Sequence, residues 1–213
     1  QVPLAKGYLK EVYKEIRKRG GVCISDEVQT GFGRLGEYFW GFEMHEVIPD
    51  IIILGKPMGN GHPIGAVITT DKIAESFSKG VEFFSSFGGN PVSCAAGLAV
   101  LDVIEDEKLQ ENAKNVGNYY IRKLNKLKKE FKVIGDIRGS GLFIGIEITE
   151  ENSKRPDTKL AQKIKNELRK NRILVGSDGP HDNVIKSKPP ICFSKENVNE
   201  VIYTLRNILK KSI

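Results

Sequence analysis

The sequence is poor in cysteine and histidine, and it has no long apolar run. Among 213 residues there are three cysteines, Cys23, Cys94 and Cys192, far apart and without a C-x-x-C pair. That excludes a disulfide-built scaffold and a cysteine zinc site, and it fits a reducing compartment. The three histidines, His45, His62 and His181, are scattered, so no metal site is expected. No stretch of 18 apolar residues occurs, which excludes a membrane-spanning helix. The phosphate-loop pattern G-x-x-x-x-G-K-[ST] is absent, as are internal repeats and low-complexity segments. The chain begins at Gln1 rather than Met, and its first segment already reads as a helix. No leader is visible, and the expectation is that sequence lies upstream.

What is present is a normal globular balance, 39% hydrophobic and 28% charged. The net charge of +6 is uneven. Residues 1–106 hold 10 lysines and arginines against 14 acidic residues, and residues 107–213 hold 23 against 13. A basic half raises the question of nucleic acid. However, Lys123, Lys126, Lys128 and Lys129 fall on an amphipathic helix, where a solvated face is expected, and no aromatics alternate with them. Nucleic acid and membrane are therefore not expected partners.

Leu9, Val12, Tyr13 and Ile16 give a helix over 6–19 that stops at Gly20-Gly21. Buried strands follow at 22–25 and 51–54, and a third at 65–70. The all-apolar Ile51-Ile52-Ile53-Leu54 suggests a parallel sheet covered on both faces. Asp71 is expected to cap a helix over 72–78. Asn90 and Pro91 are expected as cap and first residue of a helix reaching about 105. From 107 a long amphipathic helix carries Leu109, Ala113, Val116, Tyr120, Leu124, Leu127 and Phe131. Strands are expected at 133–137, 142–148, 173–175, 184–187 and 191–193, with helices at 157–171 and 195–211. The fold class is α/β: a piece of an open sheet over 1–106, then a smaller α+β domain over 107–213.

The chemistry-bearing residues fall at the carboxyl ends of strands, where open α/β sheets bind ligands. Asp26 ends one strand, and Lys56 follows the next with Gly55, Gly59, Gly61 and Gly65 around it. Alone, such a lysine is usually a surface residue, and Asp26 also fits the magnesium-holding strand of a phosphate-loop ATPase. In combination, Val22-Cys23-Ile24-Ser25-Asp26-Glu27-Val28-Gln29-Thr30-Gly31-Phe32-Gly33-Arg34 resembles the cofactor-binding signature of class III aminotransferases, pyridoxal-phosphate enzymes of fold type I. Leu54-Gly55-Lys56-Pro57-Met58-Gly59-Asn60-Gly61 resembles their segment with the cofactor-linking lysine, thirty residues on. Ser86-Phe87-Gly88-Gly89-Asn90-Pro91 resembles the segment whose hydroxyl serves the cofactor phosphate of the partner subunit. The resemblance covers essentially all of the chain.

Within the family, the stretches 89–101, 135–145 and 177–193 are similar to the phospho-lyases of ethanolamine phosphate and 5-phosphohydroxy-L-lysine, also described as alanine–glyoxylate aminotransferase 2-like. Lys186 stands where many class III transaminases have an arginine for a substrate carboxylate, and lysine lacks that planar fork. This suits a substrate without an α-carboxylate.

The resemblance implies pyridoxal 5′-phosphate as cofactor, with Lys56 as its covalent link and as general base. Asp26 would pair with the ring nitrogen, Gln29 with the phenolic oxygen, and Ser86 with phosphate, helped by the N-terminus of the following helix. An amine that attacks an aldehyde must be neutral, so Lys56 is expected in a desolvated cleft. Lys186 and His62 are candidates for substrate contact, Arg138 is open between substrate and a core carboxylate, and Glu27 reads as structural. The implied protein is a homodimer about twice this length. Its N-terminal half would be absent here, and its compartment would be mitochondrial, with the cytoplasm as the alternative. The rivals are an alanine–glyoxylate or ω-amino-acid transaminase, and an inactive short product that only joins full-length subunits.

Overall fold

A computed structural model describes residues 4–5 and 7–212. The chain divides into two compact units. One contains residues 4–33 and 38–109, and the other residues 34–37 and 110 onward.

In the first unit, helix α1 (Tyr8–Lys18) leads to strand β1 (Ile24–Asp26). The helix ends as its sequence dictates: Gly20 takes φ 77° and Gly21 N–H reaches back 3.0 Å to the Ile16 carbonyl. After a short 3-10 turn, Gly41–His45, come β2 (Ile51–Leu54), a second 3-10 turn (Lys56–Gly59), β3 (Ala66–Thr69), α2 (Asp71–Ser78) and α3 (Pro91–Asp106). The sheet order is β1-β2-β3. β1 runs parallel to β2 with Asp26 beside Ile53, but β3 is antiparallel to β2, with Leu54 beside Ala66. The sheet is thus mixed, because the turn 55–65 reverses the chain directly instead of crossing over it. Asp71 is the first helical residue rather than the cap. Thr70 holds that place without a side-chain bond. Asn90 does cap α3, its Oδ1 accepting from Ser93 N–H at 2.9 Å.

Two features organise this unit. Tyr13, Cys23 and Val47 form a small buried cluster against Leu9 and Phe42. Asp50 is gripped by Arg17 through two bonds of 3.0 and 3.2 Å and accepts from Cys23 N–H at 2.8 Å. The Arg17 hydrogen bond, followed by the Cys23 amide, holds the Asp50 carboxyl below its ordinary value. Much of the remaining apolar surface is uncovered: Val67 is 66% exposed, Phe84 83% and Val92 70%.

The second unit is built from α4 (Leu109–Glu130, entering at Gln110), β4 (Ile134–Ser140), β5 (Phe143–Ile148), α5 (Thr158–Lys170), β6 (Gly176–Asp178), β7 (Val184–Ser187) and α6 (Lys195–Ser212). Its sheet is antiparallel throughout, in the order β4-β5-β7-β6. The helical stripes read from sequence face the core: Tyr120, Leu124 and Leu127 from α4, and Val198, Leu205 and Leu209 from α6, all buried with Ile144, Ile148, Ile164 and Ile185. Each such aliphatic chain contributes about 1.5–3 kcal/mol on burial. The Tyr120 phenol is pushed up to about 12 by that burial, with Ser187 Oγ at 3.4 Å.

In the first unit the strand expected as buried at 22–25 runs Ile24–Asp26, with Ile24 53% exposed. In the second unit three further boundaries differ from expectation. The apolar run 173–175 is not a strand. Ile173 and Val175 pack on the core, Ile173 N–H closes the end of α5 on Leu168 O, and the strand is the polar Gly176–Asp178. Residues 191–193 make no ladder, and Phe193 N–H closes a turn on Pro190 O. β4 continues past the expected 137 through Gly139 to Ser140, across a stretch read as lying between two strands.

Residues 34–37 strap onto this unit. Leu142 N–H bonds Arg34 O at 3.0 Å, Ser140 Oγ bonds Leu35 O at 2.8 Å, and the Arg34 guanidinium donates to Leu142 O and Pro189 O. Burial pushes Arg34 below its ordinary value. Close approach requires glycine here: a Cβ on Gly117 would lie 2.2 Å from Gly141 O.

Candidate functional site

Asp26 and Lys56 are brought to the same end of neighbouring parallel strands. β1 terminates at Asp26, and Glu27 N–H extends the pairing to Ile53 O at 2.9 Å. β2 terminates at Leu54, and Lys56 opens the following 3-10 turn. Gly55 passes Val28, with 3.6 Å from its would-be Cβ to a valine methyl.

Along 26–29 the side chains separate by face. Asp26 and Gln29 are exposed, whereas Glu27 is 1% exposed. Asp26 Oδ1 accepts from Val28 N–H at 3.0 Å, which fixes the carboxylate at the strand end. The Glu27 carboxylate accepts from Ser25 Oγ (2.9 Å), Thr30 Oγ1 (2.7 Å), Gly41 N–H (2.7 Å) and Phe42 N–H (2.9 Å). A buried carboxylate with four donors is a structural anchor. It ties the strand end to the 3-10 turn at 41–45, and so holds the turn that presents Asp26 and Gln29. The sequence reading gave Glu27 a structural place but did not foresee these partners. Trp40 packs edge to face with both Phe32 and Phe39, and the two phenylalanine rings are tilted to each other, with ring centroids 4.7–5.8 Å apart.

Lys56 itself has φ 36°, a left-handed backbone that costs a side-chain-bearing residue about 1–2 kcal/mol. The turn is held by Met58 N–H to Gly55 O (3.0 Å) and Asn60 N–H to Pro57 O (3.2 Å). It also rests on buried Gly59, where a Cβ would stand 2.6 Å from an Ile64 methyl. The Lys56 side chain is exposed, so the desolvated cleft expected around it is not formed by the described residues.

Ser86 lies in the exposed segment between α2 and α3, where Gly88 N–H bonds Ser85 Oγ at 3.0 Å. The expected anion affinity of the α3 N-terminus is largely taken up internally. Pro91 has no N–H, Ser93 N–H bonds Asn90 Oδ1, and Cys94 N–H bonds Asn90 O. His62 Nε2 lies 2.8 Å from Ser93 Oγ, so this ring nitrogen is engaged within the protein.

In the second unit, Lys186 on β7 is 3.6 Å from Asp178 on β6. Arg138 pairs with Asp136 (3.0 Å), which is half exposed, and with Glu147 on the β4–β5 ladder. Among the described residues there is no cluster of histidine, cysteine and carboxylates fit to hold a metal, and no helix long and apolar enough to cross a membrane.

The donor set fits pyridoxal phosphate: an exposed carboxylate for a protonated ring nitrogen, an amine for an aldehyde, an amide for a phenolic oxygen and a hydroxyl for phosphate. The aminotransferase class-III model matches residues 1–209. An alanine–glyoxylate aminotransferase 2-like protein of Drosophila melanogaster is 53% identical over 206 residues, covering 95% of this chain and 42% of its own length. The mitochondrial alanine–glyoxylate aminotransferase 2 of Homo sapiens is 46% identical over 210 residues, covering 98% of this chain and 41% of its own length. Among solved structures, a phospholyase from Arthrobacter in complex with phosphoethanolamine superposes with a TM-score of 0.95 at 42% identity, over 98% of this chain and 50% of that one. The chain therefore spans less than half the length of these curated relatives. Class III aminotransferases depend on pyridoxal phosphate and have the mixed α/β fold described above, and this chain belongs to that family.

Proposed function

We propose that the protein containing this chain is a pyridoxal-phosphate-dependent lyase that removes phosphate and ammonia from a phosphorylated amine, ethanolamine phosphate or 5-phosphohydroxy-L-lysine. The observation that carries this reading is the likeness to the Arthrobacter phospholyase, supported by Lys186 in place of a carboxylate-gripping arginine.

When bound, the cofactor supplies an electron sink for the carbanion at the amine-bearing carbon. The roles of this chain's residues are those that the family resemblance implies. Lys56 would link the cofactor and, with its amine free, would serve as general base at the amine-bearing carbon of the substrate. Asp26 would keep a proton on the ring nitrogen. Gln29 would donate to the phenolic oxygen, and the Ser86 hydroxyl would donate to the cofactor phosphate of the partner subunit. Lys186, which lies 3.6 Å from Asp178, is the candidate for an anionic group of the substrate. The net reaction for ethanolamine phosphate consumes one water and yields acetaldehyde, ammonia and inorganic phosphate. A β-phosphate leaves far more readily than hydrogen or hydroxyl, so the substrate itself favours elimination over amine transfer.

The assembly is proposed to be a homodimer, which would cover part of the exposed apolar stretch around Phe83, Phe84, Phe87 and Val92. A mitochondrial compartment is proposed from the human relative. The second reading, an alanine–glyoxylate transaminase, has the names of the curated relatives in its favour. Product analysis of the complete protein separates them. Release of phosphate and ammonia from ethanolamine phosphate is expected, and keto-acid-dependent amine transfer without phosphate release would establish the transaminase. The 213-residue chain by itself is expected to bind the cofactor poorly and turn nothing over. A saturable absorbance change with turnover from that chain would overturn this expectation.

A further inference from the structure

Between the two proposed cofactor segments, 56–61 and 86–90, runs a continuous line of hydrogen bonds. Asn90 begins it at the 86–90 end. Its Nδ2 donates to Phe87 O at 2.7 Å, next to Ser86, and to Ser93 Oγ at 2.9 Å. Ser93, 8% exposed, is bonded in turn to His62 Nε2 at 2.8 Å. His62 N–H bonds Gly59 O at 2.9 Å, the last residue of the turn that Lys56 opens. Beside this line α3 packs close to the turn: a Cβ built on Gly97 would stand 3.6 Å from an Ile64 methyl and 3.8 Å from Met58 O. The left-handed Lys56 needs such support, because a strained backbone persists only where its surroundings over-determine it.

We propose that Asn90, Ser93 and His62 form a positioning relay that locks the turn carrying Lys56 to the loop carrying Ser86. The functional meaning rests on the reading above, in which Lys56 links a cofactor and Ser86 holds a cofactor phosphate. On that reading Ser86 serves the partner subunit, so each relay connects the two sites of a dimer through one chain. His62 is then a positioning residue and not a substrate contact.

The test uses the complete protein without cofactor and follows amide hydrogen exchange in peptides covering 57–63 and 84–90. Ser93→Ala is expected to speed exchange about 10-fold in both peptides, the scale of one lost hydrogen bond. His62→Leu is expected to do the same, and His62→Gln to restore most of the protection, which a purely steric role for the ring would not give. Faster exchange in only one peptide, or in neither, overturns the relay. The pyridoxal phosphate dissociation constant is measured on the same variants and is expected to rise about 10-fold for Ser93→Ala and His62→Leu. Coupled exchange with an unchanged dissociation constant would leave the relay standing and overturn the reading of Lys56 and Ser86.

Discussion

The two units use apolar residues differently. In the second, the stripes of α4, α5 and α6 close over one face of a four-stranded sheet, and Leu124, Ile144, Ile164, Val198 and Leu209 are fully buried. In the first, equally apolar segments stay open. Ile24 and Val67 on the sheet and Leu98 on α3 are more than half exposed, and the buried cluster is Tyr13, Cys23 and Val47. Yet the first unit carries Asp26, Gln29, Lys56 and Ser86. Its order comes instead from polar anchors: Asp50 held by Arg17, Glu27 by four donors, and Asn90 at the head of α3. Packing sets stability in one unit, and directed hydrogen bonds set geometry in the other.

This contrast can be broken experimentally. The largest effect is expected from Lys56→Ala in the complete protein: loss of turnover and of the borohydride-reducible cofactor link, with the unfolding midpoint nearly unchanged. A reducible adduct at wild-type level would remove Lys56 from its role. Asp26→Asn should retain cofactor but slow exchange of the substrate's α-hydrogen by about 10²–10³-fold, the scale of one misplaced electrostatic group. Unchanged exchange would count against it. In the second unit, Gly117→Ala forces a Cβ against the Gly141 carbonyl and should cost about 3 kcal/mol in denaturant unfolding. A loss below experimental error would mean that α4 shifts freely.

Smaller effects sharpen the comparison. The folded Asp50 carboxyl lies below its ordinary value of 3.8, chiefly through Arg17. Its contribution is therefore present above that value and is lost as the pH falls through the lowered one. Both partners are partly exposed, so the contribution is about 1 kcal/mol or less. Arg17→Met should flatten the acid limb of the stability curve, and an unaltered limb would argue against the pair. Gly97→Ala has ordinary contact distances to Ile64 and Met58 and should gain about 0.5–1 kcal/mol from helix propensity. The clashing and the tolerated glycine thus test the close and the open unit by the same substitution.

Periodicity reported the second unit well because its helices bury one continuous stripe. In α6 Val198, Val201, Ile202, Leu205, Ile208 and Leu209 are all buried. It failed at β6, where Gly176-Ser177-Asp178 joins the sheet as an edge strand by backbone pairing with β7, a bond type that leaves no apolar mark. It failed again at 173–175, whose apolar residues close a helix end. The placement of Asp26 and Lys56 at neighbouring strand ends was legible from the two apolar runs that precede them. The four donors of Glu27 and the Ser93–His62 bond were not, since they join residues distant in sequence whose types are ordinary. The desolvation expected at Lys56 is not supplied by the described residues, which leave that side chain exposed.

The strap at 34–37 bears on inheritance. A crossover or cleavage after Leu109 would seem to part the chain cleanly, yet the C-terminal piece would leave behind Arg34, Leu35 and Glu37. Leu142 N–H, Ser140 Oγ and the carbonyl of Pro189 would then lose their partners, and Lys114 its carboxylate. The two units are therefore not exchangeable modules. A recombinant that swaps the second unit must bring its own four-residue insert within the first.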